Sequence, residues 1–176
     1  MEVMRNLGPR NNFLRRVREL ATKNNVVLIF DECTSGFREC FGGLHLNYGV
    51  EPDIATFGKA LGNGYAITAV LGRRDVMETA QDSFISSTFW SERVGPVAAL
   101  ATLDVMESEQ SWKRNSEIGR YVKNGWDNIF AGKPFDVEIL GLDASPTLAI
   151  NSADGLEIKT FITQQMLCHN YLASNI

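Results

Sequence analysis

The chain moves between two hydrophobic rhythms. Phe13, Leu14, Val17, Leu20 and Ala21 recur at helical spacing after Pro9 and Asn11-Asn12, so a helix with one apolar face is predicted there. Asn24-Asn25 ends it. Residues 26–30, Val-Val-Leu-Ile-Phe, follow as an unbroken apolar run. Such a run suits a strand buried on both faces, and a helix feeding a strand predicts an α/β fold. Residues 32–50 carry Gly36, Gly42, Gly43 and Gly49 and read as loop. Short strands are predicted over 54–57 and 67–71, a short helix over 74–80, and a strand over 83–88 that runs into a hydroxyl-rich loop. Residues 94–108 predict a helix with Ala98, Ala101, Thr102 and Val105 on a small-residue face and Pro96 in its first turn. Ile118, Tyr121, Val122, Gly125, Trp126 and Ile129 predict a second amphipathic helix. After Gly132-Lys133-Pro134 the rhythm changes again, to strands over 135–140 and 147–150 and a helix over 157–172. These shifts place a domain boundary near residue 109, between a unit 1–109 and a unit 110–176.

Composition narrows the class. The 176 residues, 44% hydrophobic and 22% charged, suit a soluble globular protein with a sizeable core. A net charge of −4 gives no general attraction to nucleic acid. Arg15-Arg16-Val17-Arg18 reads as a solvated helix face. No apolar run approaches the ~20 residues of a membrane span, and no secretory signal opens the chain, so no membrane partner is expected. Three sparse cysteines, Cys33, Cys40 and Cys168, suit a reducing, cytoplasmic compartment. Cys33, Cys40 and His45 lack usual zinc spacing, and no metal is expected.

Two junctions carry candidate chemistry. Asp31 follows the first apolar run and Lys59 follows the 54–57 run. In open parallel sheets, sites form at the carboxyl ends of strands. A buried acid and a buried amine are costly unless paired or used, so the pair points to a site. Taken singly, a Lys after a strand is usually a solvated cation and an Asp there usually a turn residue. Gly58-Lys59 is not a phosphate-binding loop, because Asp53 and Ala60 stand where Gly and Ser or Thr are required. Gly58, Gly62 and Gly64 also miss the dinucleotide-binding spacing.

The words around the pair are more specific. Phe30-Asp31-Glu32-Cys33-Thr34-Ser35-Gly36-Phe37-Arg38, Gly49-Val50-Glu51-Pro52-Asp53 and Gly58-Lys59-Ala60-Leu61-Gly62-Asn63-Gly64-Tyr65 stand in fixed order. With Ser87-Thr88-Phe89-Trp90-Ser91-Glu92-Arg93 they resemble class III aminotransferases, which use pyridoxal 5′-phosphate (PLP), and within them the glutamate-1-semialdehyde aminomutase-like branch. The resemblance implies part of a fold-type I PLP-dependent transferase large domain, with a seven-stranded, mostly parallel sheet, followed by an incomplete α+β domain. It implies PLP as cofactor. Lys59 would be the catalytic lysine that forms an imine with the cofactor aldehyde and then shuttles protons; Asp31 would be the carboxylate beside the pyridine nitrogen. Thr88 would donate to the phosphate of the neighbouring subunit's cofactor, which implies a homodimer; a helix cap at Ser87-Thr88 is compatible with that role. Cys33 replaces the family's usual Val and would pack on one ring face. Thr34 and Ser35 read either as polar neighbours of the cofactor or as turn residues, and His45 and His169 receive no role. The partners implied are a small-molecule amino donor and a carbonyl acceptor. A complete enzyme of this class is more than twice as long, with its phosphate loop and ring-stacking aromatic ahead of these words. The resemblance therefore implies a fragment, either of an active aminotransferase or aminomutase or of a non-catalytic remnant.

Overall fold

Helix α1 (Phe13–Lys23) forms where the helical rhythm predicts it and buries Leu14 and Ala21. Asn24 ends it: its side-chain amide donates to the Leu20 carbonyl at 2.8 Å, and Asn25 takes a left-handed conformation, φ 53°. The structure, a computed structural model, describes residues 1–3, 6–89 and 91–172. The sequence words on Met4, Arg5, Trp90 and 173–176 lie outside the described residues.

Strand β1 is shorter than predicted, Ile29–Asp31, and it is buried on one face only. Phe30 is fully buried with Val3, Leu14, Ala21, Leu28, Leu44 and Val50, whereas Val26, Val27 and Ile29 are exposed. The alternation follows from strand geometry, which sends successive side chains to opposite faces; only the Phe30 face meets the packing of α1. Fully burying a phenylalanine stabilises by ~2–3 kcal/mol. A backbone bridge from Glu2 to Asp31 adds a parallel neighbour beside β1.

β2 (Ile54–Phe57) pairs with β1 in parallel, from Ile29 opposite Ile54 to Asp31 opposite Thr56. β3 (Ala69–Gly72) pairs with β2 antiparallel, giving the order β1-β2-β3. Among the described residues this part of the sheet is three-stranded, with one parallel and one antiparallel pairing. Ala55 and Phe57 pack with Leu61 and Ala99 as a second core cluster.

Helix α2 (Arg74–Met77) passes into a 3-10 turn, Glu78–Asp82. The strand expected over 83–88 does not form. Its hydroxyls bond locally instead: Ser83 Oγ donates to the Thr79 carbonyl at 3.2 Å. Phe84 and Ile85 are exposed, with no sheet face to cover them. Helix α3 (Val94–Glu109) buries Gly95, Ala99 and Met106. Of the small-residue face, Ala101 and Val105 are exposed.

Gln110, at φ 51°, breaks α3 from α4 (Ser111–Phe130). α4 packs on a hairpin of β4 (Val137–Leu142) and β5 (Ser145–Ile150), and α5 (Gly155–Cys168) follows. The α4–hairpin approach demands glycine: a Cβ on Gly119 would lie 1.5 Å from the Asp143 carbonyl oxygen. The hairpin also touches the first half of the chain. Gly141 N donates to the Asn6 carbonyl at 2.9 Å, and Ala144 N donates to Glu39 Oε1 at 3.1 Å. No helix among the described residues is long and apolar enough to cross a membrane.

Candidate active site

Asp31 closes β1, and Lys59 stands two residues beyond β2. The strands are parallel neighbours, so both residues reach the same carboxyl end of the sheet. After Phe57 the chain passes extended Gly58 and enters a 3-10 turn, Lys59–Leu61. Lys59 itself is left-handed, φ 44°, a conformation that costs a non-glycine residue ~1–2 kcal/mol. Such strain concentrates at functional positions. Gly62 closes the turn where a Cβ would meet the Tyr65 carbonyl oxygen at 2.1 Å.

Both side chains are exposed, which corrects the expectation of a buried acid and a buried amine. They lie past the core residues Phe30 and Phe57, at the rim of the sheet. A short polar chain holds them. Cys33 N donates to Asp31 Oδ1 at 2.9 Å, and Thr56 Oγ1 donates to the same oxygen at 3.3 Å. Lys59 Nζ donates to Thr34 Oγ1 at 2.7 Å. The Cys33 N–H is the main reason the Asp31 carboxyl titrates below the usual carboxylate range; the Lys59 charge adds less. Cys33 is half-buried between the strand ends, its Sγ 3.8 Å from Thr56 Oγ1 and packed toward the Gly58 backbone.

The structure thus brings Asp31, Cys33 and Lys59 together. Thr88 is exposed and makes no hydrogen bond among the described residues. The start of α3 is capped not by Ser87 or Thr88 but by Glu92, whose carboxylate accepts from Val94 N at 2.5 Å and Gly95 N at 3.1 Å.

Sequence reasoning assigned no role to a fully buried network directly behind this site. Glu32 accepts from Ser35 Oγ, Leu44 N (3.0 Å), His45 N (2.9 Å) and His45 Nδ1 (2.9 Å). These bonds fix the turn that presents Cys33 and Thr34. Asp53 is a second buried acid, accepting from Leu28 N, Arg18 and Arg73. The Pro52-Asp53 word and the Asp31-Glu32 pair were the available signals, but a sequence does not say which carboxylate turns inward.

Lys59 also borders a cleft of about 800 Å³, lined by Arg38, Asn63, Ala98, Thr102 and Asn115 among others; Asp31, Cys33 and Thr88 are not part of its wall.

The donor set at the strand ends fits PLP. Lys59 offers an accessible amine on a defined turn. Asp31 is held ionised, and the bonds it accepts from Cys33 N and Thr56 Oγ1 both fall on Oδ1, so that Oδ2 could accept from a ring N–H. Cys33 and Gly58 give a small, close-packed surface beside them. Thr88 offers a hydroxyl, but the helix-start donors near it already serve Glu92.

Comparison with known proteins identifies the family. The family described as Aminotransferase class-III matches residues 7–142. The 3-aminobutyryl-CoA aminotransferase of Cloacimonas acidaminovorans is 46% identical over 166 residues, 92% of this chain and 40% of that protein. The glutamate-1-semialdehyde 2,1-aminomutase of Methanococcoides burtonii is 34% identical over 146 residues, 80% of this chain and 35% of that protein. Among solved structures, the ornithine aminotransferase of Toxoplasma gondii superposes with TM-score 0.86 at 25% identity, covering 99% of this chain and 42% of that one. The FumI protein of Sphingopyxis sp. MTA144 superposes with TM-score 0.91 at 21% identity, over 99% of this chain and 44% of that one, and speaks to fold alone. The chain spans about 40% of the length of the curated relatives it matches. Its fold is that of part of a fold-type I PLP-dependent transferase, and the chain belongs to the class-III aminotransferase family.

Proposed function

We propose that this chain carries the lysine and the carboxylate of a PLP-dependent amino-transfer site. The observation that carries the reading is the placement of Asp31 and Lys59 at adjacent ends of parallel strands, tied together through Cys33, Thr34 and Thr56. When bound, PLP supplies an aldehyde for the amino group and a ring that withdraws electrons from the reacting carbon. Lys59 would hold it through Nζ, and Asp31 would face its ring nitrogen. Thr34 Oγ1, which accepts from Nζ, orients the lysine. Asp31, kept ionised by the Cys33 N–H, stabilises a proton on the ring nitrogen. Lys59 Nζ then accepts and returns the proton at the carbon that bears the amino group.

The substrates are a small-molecule amino donor and a carbonyl acceptor. Transfer between two molecules is favoured over internal transfer by the higher identity to an aminotransferase, 46%, than to an aminomutase, 34%. A homodimer is part of the proposal. Phe84, Ile85, Phe89, Val94 and Val97 are exposed along one stretch that includes Thr88, which suits an apolar contact with a second copy. Thr88 would serve the partner's phosphate there. We also place the domain junction at Gln110 and the protein in the cytoplasm, in keeping with its sparse, unpaired cysteines.

Titration with PLP, borohydride reduction and peptide mapping test the reading. Label should concentrate on Lys59 at PLP concentrations that leave Lys23 and Lys133 unmodified, and Asp31→Ala should reduce its yield. Uniform labelling of the lysines would refute the assignment.

A further inference from the structure

The cleft beside Lys59 has an uneven charge. Among the described residues its lining contains two cations, Arg38 and Lys59, and no acidic side chain. One residue organises both. Thr34 Oγ1 accepts from Lys59 Nζ at 2.7 Å, and the Thr34 carbonyl accepts from Arg38 Nε at 2.7 Å. Arg38 is half-buried, and among the described residues its guanidinium bonds only through Nε. The two terminal nitrogens are left over. Its neighbours in the cleft wall, Asn63, Ser111, Asn115 and Thr102, are neutral and polar, while Ala98 and Ala101 of α3 leave room.

We propose that Arg38 is a carboxylate-binding residue and that the cleft receives the carboxylate of an amino-acid donor. A guanidinium fixed through Nε presents its remaining donors in a planar fork, the geometry that grips a carboxylate through two bonds. A half-buried cation with no ion-pair partner among the described residues is poorly compensated, and a cleft of one charge sign concentrates the opposite charge. Shared anchoring on Thr34 fixes the carboxylate site relative to the amine that moves the proton. The identification of the anion as an amino donor rests on the proposed amino-transfer function; anion binding by Arg38 does not, and it can be measured without PLP.

The experiment titrates succinate, and its uncharged analogue succinamide, into the PLP-free chain, with affinity read by calorimetry. Succinate should bind at least tenfold more tightly than succinamide. Arg38→Gln should weaken succinate at least tenfold, a loss in the range of charge-assisted hydrogen bonds. Arg38→Lys, which keeps the charge without the fork, should fall between. Phenylglyoxal modification of the unmutated chain supplies a readout that does not depend on a variant folding: succinate should protect Arg38, identified by peptide mass, and succinamide should not. Equal affinity for the two ligands, unchanged succinate binding in Arg38→Gln, or no protection of Arg38 would each overturn the proposal. Failure of PLP to label Lys59, with succinate binding intact, would refute the amino-transfer reading and leave the anion site standing.

Discussion

Replacing Glu32 by glutamine changes one atom and one charge, yet the structure makes it expensive. Glu32 is fully buried, and each carboxylate oxygen accepts two bonds: Oε2 from Ser35 Oγ and Leu44 N, Oε1 from His45 N and His45 Nδ1. An amide has one acceptor end. With its NH₂ at the Oε2 position, Ser35 can turn its hydroxyl to accept, but Leu44 N–H cannot. With its NH₂ at the Oε1 position, His45 can change tautomer, but His45 N–H cannot. Either orientation strands one buried backbone donor, at ~1–3 kcal/mol, and removes the charge that strengthens the other bonds. The expected loss is ~3–5 kcal/mol, comparable with breaking a buried ion pair from one side. Urea unfolding followed by circular dichroism measures it. The titration has a defined sign. Burial pushes the Glu32 carboxyl up, but bonds from His45, Ser35 and the backbone bring it below the ordinary 4.5. Its contribution is therefore complete above about pH 4.5 and is lost as pH falls through the lower folded value. Glu32→Gln should flatten that acid limb. A loss below about 1 kcal/mol, or an unchanged acid limb, would refute the reasoning.

Asp53→Asn should cost less, ~1–2 kcal/mol, because an amide oxygen can still accept from Leu28 N while Arg73, 60% exposed, returns to water; thermal melts of Asn and Ala variants test the order, Ala being the worse. Asp53 titrates below its ordinary 3.8, so that stability too is present above this value and fades only in stronger acid. Gly119→Ala should loosen α4 from the hairpin, since the added carbon would overlap the Asp143 carbonyl; limited proteolysis should then cut near 141–145 before the rest of the chain. Lys59→Gly should raise stability by ~1 kcal/mol, by relieving the left-handed strain at φ 44°, while abolishing PLP labelling at that position.

What the sequence disclosed follows from how local each signal is. The α1 rhythm, the amphipathic α4 and the paired Asp31 and Lys59 words are carried by residues close in sequence, and the structure places them accordingly. The antiparallel sense of β3 was not legible, because a short apolar run before Gly72 has the same pattern in either direction. The 83–88 segment has strand-forming residues, yet strands need a partner edge, and its Phe84 and Ile85 find none. For α3 the small residues were visible, but not what they would face. Ala98 and Ala101 border the cleft beside Lys59, while Ala99 packs in the core. Small side chains serve close packing and open space equally well, and only the neighbouring elements decide between them.

The same division explains the charges. Asp31-Glu32 is a pair of adjacent acids, and a strand sends neighbours to opposite sides. Glu32 points inward and is saturated by four donors; Asp31 points outward and accepts from Cys33 N and Thr56 Oγ1 on one oxygen. Lys59 and Arg38 are likewise each tied by a single bond to Thr34. Groups that hold the scaffold are buried and fully satisfied, as the cost of an unpaired buried charge requires. Groups that meet a ligand must retain unused bonding capacity, and they can do so only at a rim where water fills it until the ligand arrives. Exposure of Asp31 and Lys59 therefore does not argue against a catalytic role. It is the arrangement the proposed role requires, in which the remaining bonds would be made to a cofactor and a substrate.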